Sequence, residues 1–215
     1  MQTDVAETSA ISRPGTRRLV SARFADLFGR FGKRPDRQRD DAQATAVTTG
    51  EPAPGVLEIR LTGGSRRNVL GRSTIDRIEQ LVSDPPGGTR AILLTAEPPD
   101  FCAGYDLVEA HRTGAERLIA DENNFQVLRR AGIPIVVALH GRVIGGGLEL
   151  ALVADVRVAA PDTVMAVPAS TLGLVYSGAG LRLFVSALGE SVVRAMILGG
   201  RAVPAPEAAA LGALS

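Results

Sequence analysis

The chain has 215 residues, a formal net charge of +1, 4% aromatic residues and no tryptophan. The near-neutral charge gives no overall field that would attract nucleic acid, and the scarcity of aromatic side chains argues against a base-stacking surface. The single cysteine, Cys102, excludes an intramolecular disulfide and a Cys–His metal motif. No apolar run is long enough to span a bilayer, and no secretory signal opens the chain. We therefore expect a cytoplasmic protein that binds neither metal nor nucleic acid.

Residues 1–55 differ in composition from the rest of the chain. Most of this region is rich in polar and small residues, proline and glycine, and cannot bury enough apolar surface to fold. Within it, Arg17–Phe31 has apolar residues near a helical period with arginines opposite, which indicates a basic amphipathic helix. Such a helix would contact an anionic membrane or a partner, or pack on its own domain or a sister subunit. Gly29 and Gly32 weaken its last turns and favour packing. We predict a flexible extension over 1–55 and a folded domain over 56–215.

From residue 56 onward, the apolar pattern predicts alternating strands and helices. "GVLEIRL" alternates like a strand, and "STIDRIEQLV" places apolar residues on one helical face, with Ser73 as its N-cap. "RAILLTA" and "IPIVVALHG" are typical of buried strands, and "GAERLIADENNFQVLRRAG" between them of a long helix. A short buried helix in "GGLELALVA", strands in "DVRVAA" and "TVMAVP", and helices in "GAGLRLFVSALG" and "SVVRAMILGG" follow. This alternation indicates an α/β domain.

Two glycine-rich loops, "EPPDFCAGYDL" and "HGRVIGGG", follow buried strands, which is where open α/β sheets tend to place ligands. Neither loop has the spacing of a phosphate-binding P-loop or of a dinucleotide-binding fingerprint. Glycines also let backbone N–H groups approach a ligand closely, so one N–H from each loop could form an oxyanion hole. Two tight turns with close packing are the other interpretation. Glu149 follows the second loop inside an apolar run, where burying its carboxylate is costly.

Together these segments resemble the crotonase, or enoyl-CoA hydratase/isomerase, superfamily. "FCAGYDL" is similar to its AGxDL signature, "ALHGRVIGGGLELALVADVRVAA" to its second signature, and "LTGGSRRNVLGRSTIDRIEQLV" to its first strand, R-x-N-x-L turn and first helix. The resemblance covers about Gly55–Ser215. It implies a crotonase-type α/β fold, a spiral of ββα turns. It also implies an acyl-coenzyme A substrate and no cofactor, because the coenzyme A is part of the substrate.

The resemblance also implies roles for single residues in catalysis. The backbone N–H groups of Tyr105 and Gly146 would hold the thioester oxygen, and Glu149 would handle a proton or a water at the β-carbon. Without the resemblance, Glu149 would be read as half of a buried ion pair. Apolar neighbours would raise the pKa of Glu149 and the start of its helix would lower it, so the sequence leaves the direction open.

Further residues are candidates for contact with the substrate. Arg66 and Arg67 precede the N-x-L turn, where they would either meet the coenzyme A phosphates or remain solvated. Tyr176 either corresponds to a tyrosine that some decarboxylases of the superfamily carry or is a buried tyrosine bonding a carbonyl. Asp106 would hold its loop at the start of a helix. The predicted site also includes three further residues of the first loop: Ala103, Gly104 and Leu107.

The sequence departs from the family at two carboxylate positions. Two-carboxylate hydratases carry a second glutamate where this chain has Ala169, and some isomerases and thioesterases carry an aspartate where it has Ser177. Glu149 alone could still move a proton, as in isomerisation, or assist water addition at a reduced rate.

The chain also ends near the point where family members continue into further helices, so we expect a C-terminally truncated domain. The family implies a trimer or hexamer, and the missing helices would favour association with another protein. Three hypotheses result: an enoyl-CoA hydratase/isomerase acting on fatty acyl-CoA; another reaction of the family, such as decarboxylation; and a weakly active or inactive protein that binds acyl-CoA or a full-length relative.

Overall fold

A computed structural model describes residues 45–113 and 125–215. The amphipathic helix predicted at Arg17–Phe31 lies outside these residues, as does most of the long helix predicted between 114 and 132. What the sequence predicts for residues 1–44 therefore stays a prediction. None of the helices in the described ranges is long and apolar enough to cross a membrane.

Strands and helices alternate along the described residues, which confirms the predicted α/β class. In chain order, the strands are β1 (Ala46–Ala53), β2 (Val56–Thr62), β3 (Ala91–Ala96), β4 (Ile135–Leu139), β5 (Arg142–Ile144), β6 (Val156–Ala159), β7 (Val164–Ala166) and β8 (Ala202–Pro204). In chain order, the helices are α1 (Arg72–Ser83), α2 (Leu107–Thr113), α3 (Gln126–Arg129), α4 (Gly146–Leu152), α5 (Ala169–Leu172), α6 (Gly178–Leu188), α7 (Glu190–Gly199) and α8 (Ala205–Ala210).

A five-stranded sheet in the order β1-β2-β3-β4-β6 forms the core, and the remaining strands form a three-stranded sheet in the order β5-β7-β8. Strands β2, β3, β4 and β6 are parallel, whereas β1 pairs antiparallel with β2. Helix α1 buries the predicted apolar face, including Ile75, Ile78 and Leu81. Because β3 and β4 are parallel neighbours, the loops that follow them leave the same edge of the sheet. The topology thus brings the two glycine-rich loops together.

The folded domain begins earlier than the sequence predicted. Strand β1 starts at Ala46, whereas the composition placed the boundary between Gly55 and Val56. Most residues of β1 are exposed, and its register with β2 shifts between Gly50 and Ala53. A strand at the edge of a sheet needs little apolar surface, so its polar composition looks like that of a flexible segment.

The predicted N-cap of helix α1 is also wrong. The helix begins at Arg72 and its N-cap is Gly71, so Ser73 lies inside the first turn. The Arg72 N–H donates to the carboxylate of Glu109 in α2, at 3.2 Å. A carboxylate from another helix therefore meets the start of α1, and the local sequence contains no sign of it.

Candidate active site

Backbone hydrogen bonds join the two glycine-rich loops along their length. The Phe101 N–H donates to the His140 carbonyl at 2.9 Å. The Cys102 N–H donates to the Arg142 carbonyl at 3.2 Å, and the Ile144 N–H returns a bond of 2.9 Å to the Cys102 carbonyl. The loops therefore behave as one short ribbon, and their positions relative to each other are fixed.

Asn68 anchors the first loop from the other side. It is fully buried, and its amide nitrogen donates to the carbonyls of Glu97 at 2.7 Å and Asp100 at 2.8 Å. Its amide oxygen accepts the Gly63 N–H at 2.8 Å. The asparagine of the R-x-N-x-L turn thus bonds three backbone groups and ties the first loop to the end of β2.

Gly104 allows a close approach of the two loops. Its φ of +97° is a conformation that favours glycine, and a Cβ there would lie 2.9 Å from the Ile144 carbonyl oxygen. The same Cβ would lie 3.6 Å from the backbone nitrogen of Gly146. Gly146 is the first residue of α4, so its N–H has no acceptor within that helix.

A cavity of about 40 Å³ opens where these loops meet α5 and the segment before α6. Six of the predicted site residues line it: Ala103, Gly104, Tyr105, Leu107, Gly146 and Tyr176. The position of the second family carboxylate, Ala169, also lies on its wall. The other lining residues are not among the predicted site residues: Ile144, Gly145, Pro168, Leu172 and Leu174.

Glu149 lies in the first turn of α4, a helix whose residues are all buried. The Tyr105 hydroxyl donates a hydrogen bond to its Oε2. Burial raises the pKa of Glu149 and the bond from Tyr105 lowers it by less, which leaves this pKa at about 7. The direction that the sequence left open is therefore upward, because desolvation outweighs the stabilisation of the charged form.

The side chain of Tyr105 has a contact that was not predicted from the sequence. The family signature gives a role only to its backbone N–H, yet its phenol reaches Glu149. A Cβ on Gly146 would lie 2.7–2.8 Å from atoms of the Tyr105 ring, so the ring packs on the start of α4. A large residue between the glycine and aspartate of "AGYDL" was the available signal.

Tyr176 also lines the cavity. Its ring meets Phe184 edge-on, with centroids 5.3 Å apart, and its hydroxyl lies where a side chain on Gly145 would be. Burial, followed by the nearby Glu149 and Cys102, raises the pKa of Tyr176 well above its ordinary value. The phenol therefore stays protonated at neutral pH. Burial also raises the pKa of the Cys102 thiol to about 12, so this thiol is not a nucleophile.

Asp106 has the structural position that the family implies for it. Its Oδ1 accepts the N–H groups of Val108 at 3.0 Å and Glu109 at 3.1 Å, which holds the start of α2. Its Oδ2 pairs with Arg66 at 2.9 Å. Arg67 lies 3.5 Å from Asp100, and its side chain is 52% exposed. Of the two arginines predicted to meet coenzyme A, Arg67 is the more accessible.

Comparisons with known proteins place the chain in a family. Residues 51–215 match the Enoyl-CoA hydratase/isomerase family. The chain is 33% identical over 156 residues to the protein named "Probable enoyl-CoA hydratase echA6" of Mycobacterium leprae, covering 68% of this chain and 61% of that protein. It is 33% identical over 175 residues to human "Enoyl-CoA hydratase domain-containing protein 2, mitochondrial", covering 75% of this chain and 58% of that protein.

Solved structures show the same fold. An enoyl-CoA hydratase from Thermoplasma volcanium superposes with a TM-score of 0.71 at 27% identity, over 80% of this chain and 71% of that one. The chain spans about 60% of the length of the curated relatives described above. The chain belongs to the enoyl-CoA hydratase/isomerase family.

Proposed function

We propose that this chain binds an acyl-coenzyme A thioester and moves a proton on its acyl group with Glu149. The observation that carries this proposal is the buried Glu149 carboxyl beside the two joined loops, with a pKa of about 7. A carboxyl that titrates near neutral pH can both accept and return a proton. The N–H groups of Tyr105 and Gly146 would hold the thioester oxygen as it gains negative charge.

The residue at position 169 favours a reaction that needs one carboxyl. Ala169 lies on the cavity wall where two-carboxylate hydratases would place their second glutamate. Isomerisation of an enoyl-CoA takes one proton from one carbon and returns one to another, so a single group suffices. Hydration must also activate a water, and a lone Glu149 supports it less well. We therefore favour isomerisation of an enoyl-CoA, with slower hydration of the α,β double bond.

The remaining contacts to the substrate are proposals of the same kind. Arg67 is the better candidate for a coenzyme A phosphate, because its side chain is 52% exposed against 30% for Arg66, and its ion pair is the longer of the two. Assembly as a trimer or hexamer, association with a full-length relative, and the cytoplasmic location remain predictions.

A second candidate function is binding of acyl-CoA without turnover. The observation in its favour is the small volume of the cavity, about 40 Å³, with Tyr105 filling the space in front of Glu149. An acyl group can enter only if the loops or the ring move. A chain whose site stays closed around Glu149 would hold a thioester at its surface and leave it unchanged.

Turnover and binding, measured on the same preparation, separate the two candidates. The full chain is incubated with a 3-enoyl-CoA and with crotonyl-CoA, and the products are followed by mass spectrometry, in D₂O to reveal proton exchange. Calorimetry with a saturated acyl-CoA measures binding. Isomerisation or exchange supports the first function, and binding without either supports the second. Absence of binding contradicts both.

A further inference from the structure

The phenol of Tyr105 stands between the cavity and the Glu149 carboxyl. Tyr105 lines the cavity. In the part of the chain that the structure describes, Glu149 is not one of the lining residues. Glu149 turns Oε2 to the Tyr105 hydroxyl and Oε1 to Gly180, where a Cβ would collide with it. Both oxygens are thus covered by the protein, and the residue as a whole is 5% exposed. In this arrangement a thioester in the cavity meets Tyr105 before it meets Glu149.

We propose that Tyr105 is the catalytic residue that exchanges the proton with the acyl group, and that Glu149 receives that proton through it. The inference rests on the proposed function, because it concerns the path of the same proton. It adds a role for a side chain whose backbone N–H alone was assigned. Tyr105 would then contribute two groups to one reaction, its N–H to the thioester oxygen and its hydroxyl to the acyl carbon.

The packing of the ring fixes where that hydroxyl can act. Atoms of the Tyr105 ring lie 2.7–2.8 Å from the position that a Cβ on Gly146 would take, so the ring packs against the start of α4. Gly146 also carries the other N–H proposed for the thioester oxygen. The phenol and the two N–H groups are therefore held by the same two residues, and the distance from oxygen site to proton acceptor is set by a rigid ring.

The proton path balances for an isomerisation. Starting from a 3-enoyl thioester and an ionised Glu149, the Tyr105 oxygen takes a proton from the α-carbon while its own proton passes to Glu149. The C–H electron pair moves into the carbonyl and forms an enolate, whose oxygen lies at the two N–H groups. Tyr105 then gives a proton to the γ-carbon and recovers one from Glu149, as the electron pairs shift to re-form the carbonyl and an α,β double bond. No oxidant or reductant is needed, and both residues end as they began.

If the proton passes directly from the substrate to Glu149, a different result is expected for Tyr105→Phe. If the tyrosine ring swings aside and Glu149 meets the substrate itself, the phenol is only a cover and a hydrogen-bond donor. Tyr105→Phe would then leave the rate within a few-fold of the original. In the relay, Tyr105→Phe breaks the path as completely as Glu149→Gln does, at about 10²–10⁴-fold.

Four proteins make the comparison: Tyr105→Phe, Glu149→Gln, the double variant and Tyr176→Phe. The last removes the other phenol of the cavity and is the matched deletion. The relay predicts equal losses in kcat for the first two and no further loss in the double variant, because both residues serve one step. It predicts a clearly smaller loss for Tyr176→Phe. Binding of a saturated acyl-CoA by calorimetry, and circular dichroism, confirm that each variant folds and binds.

A second measurement does not depend on removing the hydroxyl. The chain has two tyrosines, so in the Tyr176→Phe protein Tyr105 is the only one. Biosynthetic replacement by 3-fluorotyrosine then makes the Tyr105 phenol more acidic with almost no change in shape. A more acidic phenol also strengthens the bond that lowers the pKa of Glu149, so the pH profile is displaced in either mechanism. The relay alone predicts, in addition, a changed rate at the alkaline plateau of that profile, where Glu149 is ionised throughout. An unchanged plateau rate overturns it.

The outcomes keep the relay and the proposed function apart. Loss of activity in Glu149→Gln with activity retained in Tyr105→Phe overturns the relay and leaves the proposed function standing. A wild-type chain that neither isomerises a 3-enoyl-CoA nor exchanges protons in D₂O overturns the proposed function, and the relay with it.

Discussion

Gly180 in α6 lies directly against the carboxyl of Glu149 in α4. A Cβ built on Gly180 would collide with Oε1 of Glu149 and lie 3.2 Å from its carboxyl carbon. The backbone at Gly180 is helical, so its dihedral angles do not demand glycine; the neighbouring carboxyl does. Ser177 caps the same helix and accepts the Gly180 N–H at 3.0 Å. The start of α6 is therefore held in a position where it closes one side of the Glu149 pocket.

Gly180→Ala should displace Glu149 or push α6 away from α4. Overpacking of this kind costs about 1–3 kcal/mol, and the displaced carboxyl should lower the rate of proton transfer as well. Gly199→Ala is the matched control, because Gly199 ends helix α7 and a Cβ there meets nothing within 4 Å. That substitution should be neutral or stabilising by about 0.5–1 kcal/mol. Urea unfolding and turnover of both variants check this, and equal stability of the two would contradict it.

The stability of the protein should depend on pH through Glu149. Its pKa is about 7 in the fold, against 4.5 for an ordinary glutamate, so ionising it opposes folding. The free energy of unfolding of the native chain, relative to that of Glu149→Gln, should be highest below about pH 4.5, where the carboxyl is protonated in both the folded and the unfolded state. This difference in free energy should fall by up to about 3 kcal/mol as the pH rises to 7, and stay constant above that.

Urea unfolding of both proteins from pH 4.5 to 8 measures that difference. The comparison with Glu149→Gln cancels the titration of every other group that the substitution leaves unchanged. A difference that stays constant over this range would mean that the carboxyl is solvated in the folded protein.

The sequence predicted the parts of this fold that burial determines. Strands such as Ala91–Ala96 and Ile135–Leu139 are apolar because helices or other strands cover them, and this leaves a clear pattern. Strand Ala46–Ala53 lies at the edge of its sheet with most residues exposed, so no such pattern marks it. Ser73 failed as a cap because Glu109, far along the chain, meets the start of that helix instead.

The candidate site, like the fold, was predicted from the sequence only in part. The glycines of both loops are visible in the sequence itself, and two of the predicted site residues among them, Gly104 and Gly146, line one cavity. The pKa of Glu149 and the direction of the Tyr105 ring depend on residues 44 positions apart. Those contacts form only after the chain has folded. The sequence therefore left the direction of the Glu149 pKa shift open and did not indicate where the Tyr105 ring would lie.

The rate should rise with pH through the ionisation of Glu149. A base must be unprotonated to accept the first proton, so kcat/KM should increase from acidic pH and level off above about 7, the pKa that burial gives this carboxyl. The rise should be absent from whatever activity remains in Glu149→Gln. Stopped assays of isomerisation from pH 5 to 9 provide the test. A midpoint near 4.5 would show a carboxyl that is open to water during the reaction.

Ala169→Glu should raise hydration of crotonyl-CoA relative to isomerisation. Ala169 is 2% exposed and lies on the cavity wall, so a carboxyl introduced there would point to the space that the acyl group must enter. Together with Glu149 it would supply the second acid–base group that water addition uses, and one such group contributes about 10²–10⁴-fold. The added side chain is large for a cavity of about 40 Å³, so part of this gain should be offset by a loss of stability.

Ala169→Gln is the matched control, since it adds the same volume without a titratable group. Hydration and isomerisation rates of both variants, measured on the same preparations, decide the matter: a gain that appears equally in Ala169→Gln would come from reshaping the cavity and not from a second carboxyl.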